Sequence, residues 1–388
     1  MTRSSVSLYY NKFIHQLEKR IDYSSSIKKE VLMSKLCVFC GMKPDKKTKE
    51  HVVPKWLIAL TGDPKRTAFF GYNKDYKSGL SHRKFSFNSF TFPACLDCNN
   101  KYSDLEGKAK PILINIMNEE LISTEDFTLF LDWLDKVRIG IWLGMLQLDK
   151  DFTNISPSFH IETRISQYDR LVIIEKTDSK SNRLNFGGAE TLSFSITPSA
   201  FLLVVNNYYF TNISSMFLLH RRLGFPYPRE MYFCSDDHRI EMNFVEGRKR
   251  IMKPLLRKAI EEKGTILYQP MFCGGLTEGN RSEYYDDYVR SHSLNFEKGI
   301  GNLFKEENGD LIELKKGESF SIISSNVQID EKLYVKSAIN ILKWQNWLGS
   351  LMPKMDHLEL EQKRHINSSS QASKEFNDIF IKHYQSML

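Results

Sequence analysis

The sequence predicts an α+β protein in which a small metal-stabilised N-terminal unit precedes a larger mixed α/β region. Two cysteine pairs of equal spacing lie within residues 37–110. A long segment of helical periodicity follows them. Beyond residue 149, runs of β-branched and aromatic residues such as "SFHIETRI", "RLVIIEK" and "LSFSITPSAFLLVV" are separated by glycine, asparagine and serine, which is typical of a sheet. A chain of 388 residues with 41% hydrophobic content is long enough to bury a sizeable core.

The sequence divides into five predicted parts. Residues 1–36 carry a charged face at helical spacing and are predicted to form a helical lead-in. Residues 37–110 contain both cysteine pairs and are predicted to fold as one unit. Residues 111–149 are predicted to be connecting helices, because apolar residues recur at helical spacing in "DFTLFLDWLDKVRIGIWLGMLQL". Residues 150–365 are predicted to form an α+β domain. Residues 366–388 are predicted to be a polar linker, "INSSSQASKE", followed by a C-terminal amphipathic helix.

The positive charge of the chain is concentrated at its N-terminal end. Residues 1–110 contain 21 lysines and arginines against 10 aspartates and glutamates, a net charge of +11. The remaining residues carry 33 and 37, a net charge of −4. Because the excess of positive charge is confined to the segment with the cysteine pairs, a polyanionic partner is favoured for that segment.

The N-terminal stretch "MTRSSVSLYYNKFIHQLEKR" lacks the apolar core of a secretory signal. The most apolar segment, "FLDWLDKVRIGIWLGMLQL", is interrupted by Asp132, Asp135, Lys136 and Arg138, so a buried helix is predicted instead of a membrane span. We therefore expect a cytoplasmic protein without a membrane partner. Thiols stay reduced in that compartment, and paired cysteines there indicate a metal site before a disulfide.

The cysteine pairs predict a structural zinc site. Cys37 and Cys40 form one C-x2-C knuckle, and Cys95 and Cys98 form a second. Each knuckle turns two thiolates toward one tetrahedral ion, and two knuckles complete a four-cysteine zinc site. Gly41 follows the first pair, where such a turn commonly needs a residue that tolerates positive φ.

The residues between and after the knuckles resemble the HNH endonuclease family, the ββα-metal nucleases, in its four-cysteine form. The resemblance rests on "EHVVPKWL" after the first knuckle and on the asparagine that follows the second in "CLDCNN". It covers about residues 37–110. The 54 residues between Cys40 and Cys95 exceed the compact form of the motif.

The resemblance implies a ββα fold and a set of catalytic positions. His51 matches the general base, Asn99 matches the residue that opens the helix, and the central asparagine is assigned to Asn88 in "FNSF". Asn73 qualifies for that central position by residue type as well. Glu50 and Asn99 are the expected ligands of a catalytic divalent cation. Their hard oxygen donors favour Mg2+ or Mn2+ over a second zinc.

Two features of these positions stay open in the sequence. Glu50 and His51 are adjacent on a predicted strand and should point to opposite sides of it, unless the strand twists or ends there. Glu106 shares a helix face with Asn99. It is expected either to assist the metal or to orient His51, or else to be a surface carboxylate that pairs with Lys110.

Several lysines of the N-terminal unit are candidate contacts to nucleic-acid phosphates. They are Lys46, Lys47, Lys49, Lys55, Lys101, Lys108 and Lys110.

The predicted function is cleavage of phosphodiester bonds by a metal-dependent HNH endonuclease. The resemblance favours DNA over RNA as the substrate and extends to regulated effectors of bacterial phage defence. Residues 111–388 would then bind a protein partner or form a homo-oligomer. The alternatives are a zinc-stabilised nucleic-acid-binding module without catalysis and an HNH nuclease that cleaves RNA. A pure binding module has no need of His51.

Overall fold

A computed structural model describes residues 36–75, 79–148, 157, 159–178, 181–225, 227–234, 239–245, 264–271, 301–322, 332–351 and 359–388. The predicted helical lead-in lies outside the described residues, apart from Leu36. None of the helices in these ranges combines the length and the apolar character that a membrane crossing requires.

The described part of the chain is a mixed α+β structure. Its helices are α1 (Lys55–Leu60), α2 (Leu96–Met117), α3 (Thr124–Leu148), α4 (Leu192–Ile196), α5 (His220–Leu223), α6 (Leu333–Ser350) and α7 (Leu360–Gln385). Its strands are β1 (Lys47–His51), β2 (Thr67–Asp75), β3 (Gly79–Ser86), β4 (Thr91–Cys95), β5 (Ile122–Ser123), β6 (Asp169–Lys176), β7 (Leu184–Gly187), β8 (Ala200–Val205), β9 (Tyr208–Ser215), β10 (Tyr227–Cys234), β11 (Arg239–Val245), β12 (Thr265–Gln269), β13 (Phe304–Glu307), β14 (Asp310–Glu313) and β15 (Ser319–Phe320).

The N-terminal unit consists of two short antiparallel sheets and the helix α2. Strands β1 and β4 pair, with His51 opposite Thr91 and Lys47 opposite Cys95. The residues between these strands form α1 and a separate two-stranded hairpin, β2–β3. A short 3-10 turn, Phe87–Ser89, connects the hairpin to β4. The hairpin therefore accounts for much of the extra length between the two cysteine knuckles.

The larger region contains a seven-stranded antiparallel sheet with the strand order β14-β13-β12-β6-β9-β8-β7. Strands β8 and β9 are buried along their whole length. Both faces of the central strands are covered, which explains why residues 171–174 of β6 and the whole of β8 are continuous apolar runs instead of alternating ones.

Alternate residues of the central strands enter different parts of the core. Val172 and Ile174 of β6 join an apolar cluster that also contains residues of α3 and of the N-terminal unit. Leu171 and Ile173 of the same strand join a cluster with Trp344 of α6. The sheet thus lies between two layers, with α3 and the N-terminal unit on one face and α6 on the other.

The helix α3 runs through the centre of the molecule and confirms the long helix expected from the apolar periodicity. It packs closely on the N-terminal unit at Gly144, where an added Cβ would lie 2.7 Å from Phe90 and 3.1 Å from Phe92. Toward the larger region, the indole nitrogen of Trp142 donates a hydrogen bond of 2.8 Å to the carbonyl oxygen of Ser195 in α4. Two further buried groups of α3, Asp135 and Arg138, form an ion pair of 2.7 Å, and Asp135 also pairs with Arg170 of β6.

Three local predictions are wrong. "SFHIETRI" contains a 3-10 turn, Ile161–Thr163, and "LSFSI" is the helix α4, although the sequence predicts strands for both. The polar linker predicted at residues 366–375 lies inside α7, which begins with a capping box between Glu359 and Gln362. Packing of Ala372 and Phe376 against the rest of the protein offsets the low helix propensity of the serine run, since tertiary burial commonly outweighs propensity.

Candidate metal centre and active site

The four cysteines of the two knuckles converge on one point. The thiol sulfurs of Cys37, Cys40, Cys95 and Cys98 all lie within 4.8 Å of one another. The sulfurs of Cys40 and Cys95 are 3.8 Å apart. Two thiolates on one tetrahedral zinc ion, each about 2.3 Å from it, are separated by about 3.8 Å, so the cluster fits zinc. Within the described ranges, no other group of three or more cysteine, histidine or acidic side chains is close enough to share a metal.

The local backbone explains how the knuckles are held. The amide of Gly41 donates to the carbonyl oxygen of Cys37 at 2.9 Å, which closes the first turn. Gly41 has φ of +74°, and an added Cβ would lie 2.5 Å from the ring of His160, so both conformation and space favour glycine there. The rings of Phe39 and Tyr102 stack at 4.2 Å and so fasten the first knuckle to α2.

The ionisation of the thiols also fits a cation site. Burial raises the pKa of Cys95 to about 12, and the neighbouring thiols contribute to the same effect. Burial and the neighbouring Cys37 also raise the pKa of Cys98. Burial acts to raise the pKa of Cys37 too, but hydrogen bonds from backbone amides lower it on balance. Four clustered thiols cannot all ionise at neutral pH without a compensating positive charge, and a zinc ion supplies that charge.

His51 is the last residue of β1, and its ring is half-buried beside the 3-10 turn. Its Nε2 lies 3.1 Å from the main-chain carbonyl oxygen of Asn88. Because a carbonyl oxygen can only accept, this contact places the ring proton on Nε2 and leaves Nδ1 able to take a proton. Burial and the charge of Lys55 lower the pKa of His51, against the opposing hydrogen bond to Asn88. A pKa below the ordinary value of 6.5 favours the neutral ring at pH 7.

Glu50 points away from His51 into the protein, as strand alternation requires. It is 9% exposed, and its Oε1 accepts a hydrogen bond of 2.6 Å from Nζ of Lys136. The same ammonium pairs with Oε1 of Glu106. The predicted surface pairing of Glu106 with Lys110 is therefore wrong, because this carboxylate turns inward to Lys136 of α3. Burial raises the pKa of Glu106, although the Lys136 ammonium opposes the rise.

The asparagines occupy different positions relative to this site. Asn99 is half-buried in the first turn of α2, directly after Cys98 of the thiol cluster, and α2 packs against β1. Asn88 lies in the 3-10 turn beside His51, which distinguishes it from Asn73 of β2.

The candidate phosphate contacts fall into two groups. Lys46, Lys47, Lys49, Lys55 and Lys110 are exposed. Lys101 and Lys108 are exposed as well but are engaged in ion pairs of 2.6 Å, Lys101 with Glu162 and Lys108 with Asp104. The first group is therefore the better placed for phosphates.

Sequence reasoning missed Lys136. The signal for it was a lysine inside the apolar segment "FLDWLDKVRIGIWLGMLQL", where a buried charge must have a partner. Its partners come from residues 86 and 30 positions earlier in the chain, which no local pattern reveals.

Comparison of the chain with protein-family models, with curated proteins and with solved structures finds no match.

Proposed function

We propose that this protein is a metal-dependent endonuclease of the HNH type that hydrolyses phosphodiester bonds, with DNA as the favoured substrate. The observation that carries the proposal is His51, held by the Asn88 carbonyl at one end of the β1–β4 ladder whose other end carries Cys95 of the four-cysteine cluster. This combination, together with Glu50 before His51 and Asn99 after Cys98, supports the resemblance seen in the sequence. A pure binding module has no use for a histidine whose ring is oriented and kept neutral.

In the proposed reaction, His51 and the exposed lysines have separate roles. Nδ1 of His51 takes a proton from a water molecule, and the resulting hydroxide attacks the phosphorus. The bond from phosphorus to the leaving oxygen breaks, and that oxygen takes a proton from solvent. Exposed lysines beside the first knuckle hold the flanking phosphates.

We assign the catalytic cation to Glu50 and Asn99, whose oxygen atoms suit Mg2+ or Mn2+. The Glu50 carboxylate is paired with Lys136 and faces away from His51, so holding the cation would require it to exchange this ion pair for the metal. Such an ion, when bound, relieves charge on the scissile phosphate and on the leaving oxygen. Two protein ligands are few, and Mg2+ commonly retains several waters in such sites. The four cysteines would hold zinc in a structural role, fixing Asn99 next to Cys98.

We also propose that residues 111–388 regulate the cleavage site through a partner or a second copy of the chain. The resemblance to phage-defence effectors supports this role, and the packing of α3 between the site and the sheet supplies a physical connection.

The test is cleavage of plasmid DNA, single-stranded DNA and RNA by purified protein with Mg2+ or Mn2+, in the presence and absence of EDTA. The matched control is His51→Ala protein of equal zinc content. We expect cation-dependent cleavage that is abolished in the variant. Cleavage by His51→Ala at the wild-type rate would contradict the mechanism, and binding of DNA without cleavage by either protein would favour the binding module.

A further inference from the structure

The β2–β3 hairpin, which lengthens the segment between the two knuckles, presents an aromatic ring to solvent. On its inner face Ala68 of β2 is buried, and the ring of Phe85 of β3 stacks on Phe90 of the core at 5.4 Å. Strand alternation turns Phe69 to the opposite face, where it is 58% exposed. The inner face therefore holds the hairpin on the protein, and the Phe69 ring is left accessible on the outer face.

The residue opposite Phe69 in the hairpin is a lysine. Phe69 pairs with Lys84 in the antiparallel register, and the exposed Lys84 ammonium lies over the phenyl ring, 5.8 Å from its centroid. Residues 65–86 contain six lysines and arginines against one aspartate, a net charge of +5. An accessible aromatic ring beside a cation, on a positively charged segment, is complementary to a nucleic-acid base and its phosphate.

The Phe69 ring suits an unpaired base and not a base pair. A phenyl ring has no hydrogen-bond donor or acceptor, so it cannot read the edge of a base pair or hold a phosphate. In a duplex, the neighbouring base pairs cover both faces of each base. In a single strand a base face is accessible, and it can stack on an aromatic side chain whatever the sequence.

The hairpin leads directly to the contact that orients His51. Strand β3 ends at Ser86 and the 3-10 turn follows it, and the carbonyl oxygen of Asn88 in this turn contacts His51. Lys84 is four residues before Asn88. An extended chain of that length spans at most about 14 Å. A base on Phe69 would therefore lie within a few nucleotides of His51.

We propose that the outer face of the β2–β3 hairpin binds single-stranded DNA, with an unpaired base stacked on Phe69 and a neighbouring phosphate paired with Lys84. Because lysine has a flexible stem, the ammonium moves from the ring to the phosphate when the base takes its place. The inference rests on the proposed function for the choice of DNA. It makes the substrate a single strand, or a duplex that is opened near the cleaved bond.

The experiment measures binding by fluorescence anisotropy in the His51→Ala background, in which no cleavage is expected. The probes are an unstructured DNA strand, the duplex formed with its complement, and an RNA strand of the same sequence. Phe69→Leu keeps an apolar side chain but removes the aromatic face, and Phe69→Tyr keeps that face. Leu121→Ala is the control, since Leu121 is 65% exposed and lies outside the hairpin, just before β5. All proteins are compared at equal zinc content and with their melting temperatures.

We expect Phe69→Leu to bind the DNA strand at least about fivefold more weakly, as for the loss of one stacked base, and to bind the duplex with less than about twofold change. Phe69→Tyr and Leu121→Ala should bind both probes like the parent protein. Lys84→Gln should make the slope of log affinity against log salt shallower by about 0.7 on the DNA strand. Phe69→Leu should leave that slope unchanged, because stacking releases no counterions.

Unchanged binding of the DNA strand by Phe69→Leu would overturn the proposal, and a lower melting temperature of that variant would then assign Phe69 to the stability of the hairpin. Equal losses in Phe69→Leu and Phe69→Tyr would contradict stacking. A dependence on Phe69 that is confined to RNA would overturn the choice of DNA.

These outcomes are distinct from those of the proposed function. Cleavage by wild-type protein together with binding that does not depend on Phe69 would refute the hairpin site alone. Binding that depends on Phe69, without cleavage by wild-type protein, would support the hairpin site and refute the endonuclease.

Discussion

The imidazole of His51 and the main chain of Asn88 are joined by a contact of 3.1 Å between Nε2 and the carbonyl oxygen. Since the acceptor is a backbone atom, part of the orientation of His51 survives any substitution at position 88. His51→Ala should therefore lower the cleavage rate by about 10²–10⁴-fold, the usual contribution of a general base. Asn88→Ala should reduce the cleavage rate by a factor at least tenfold smaller than the reduction caused by His51→Ala. Single-turnover rates at saturating Mg2+ test this order, and equal reductions would assign an essential role to the Asn88 side chain.

The thiol cluster predicts about one zinc ion per chain after extensive dialysis. Cys98→Ser should lose the ion together with cooperative unfolding, because structural zinc contributes folding free energy directly. Cys234→Ser is the control, since Cys234 belongs to β10 and to neither of the two knuckles. Elemental analysis and thermal melts provide the measurements. Folded wild-type protein free of zinc would contradict the site.

The exposed lysines near the first knuckle should set the salt dependence of DNA binding. Neutralising Lys46, Lys47 and Lys49 should weaken binding to unrelated sequences about equally, because phosphates carry no sequence information. The slope of log affinity against log salt should become shallower by up to about 0.9 for each phosphate that is no longer neutralised. Replacing Lys101 and Lys108 by glutamine should change the slope less, since both are engaged with carboxylates. Filter binding with His51→Ala protein measures both slopes, and an unchanged slope in the triple variant would place the phosphate-binding surface elsewhere.

Gly144 and Gly107 form a matched pair of helical glycines. Gly144→Ala should destabilise the protein by about 1–3 kcal/mol, because its Cβ would overlap Phe90 and Phe92 and force the helix away from the N-terminal unit. Gly107→Ala should stabilise it by up to about 1 kcal/mol, since nothing lies within 4 Å of the added Cβ and alanine favours the helix. Urea denaturation measures both changes. A Gly144→Ala protein that is as stable as wild type, or more stable, would contradict the close packing of α3 on the N-terminal unit.

Asp169 should make stability depend on pH. It is fully buried at the start of β6, where the hydroxyl groups of Ser215 and Tyr268 and the amide of Phe217 donate to it. Burial raises its pKa to about 7 from the ordinary value of 3.8, despite these hydrogen bonds. The folded state therefore holds the proton that the unfolded state releases, and stability falls as the pH rises from about 4 through about 7.

Asp169→Asn isolates this contribution from other carboxylates. The difference in melting temperature between wild type and variant should change across that pH range and level off above it. A difference that is constant from pH 4 to pH 8 would show that Asp169 does not titrate there.

The parts of the structure that depend on local spacing could be predicted from the sequence. The four cysteines, the helix α3 and the strands β6 and β8 follow from patterns within a few residues. The contact between His51 and the Asn88 carbonyl could not be predicted, because it depends on where the hairpin insertion returns the chain. The ion pairs of Lys136 depend on how α3 packs against the N-terminal unit, so the hydrophobic periodicity of the sequence could not predict them either. The serine run of α7 predicts a linker wrongly because its helix is stabilised by contacts to α6 and α4, such as that of Asn377 with Gln345.

Cys37 of the N-terminal unit, Leu134 of α3 and Phe210 of the sheet belong to one apolar cluster. The N-terminal unit is therefore not an independent module. The N-terminal unit has no closed interior of its own, because α3 covers its apolar side and the sheet covers α3. Cutting the chain after residue 110 would expose the apolar surface that α3 covers and would remove Lys136, the counter-ion of Glu50. Grafting the N-terminal unit onto another protein would therefore require α3 to be included, so that the apolar contacts between them stay buried. Truncating the chain from its C-terminal side as far as α3 would remove Lys136, the ion-pair partner of Glu50, although all four cysteines would remain.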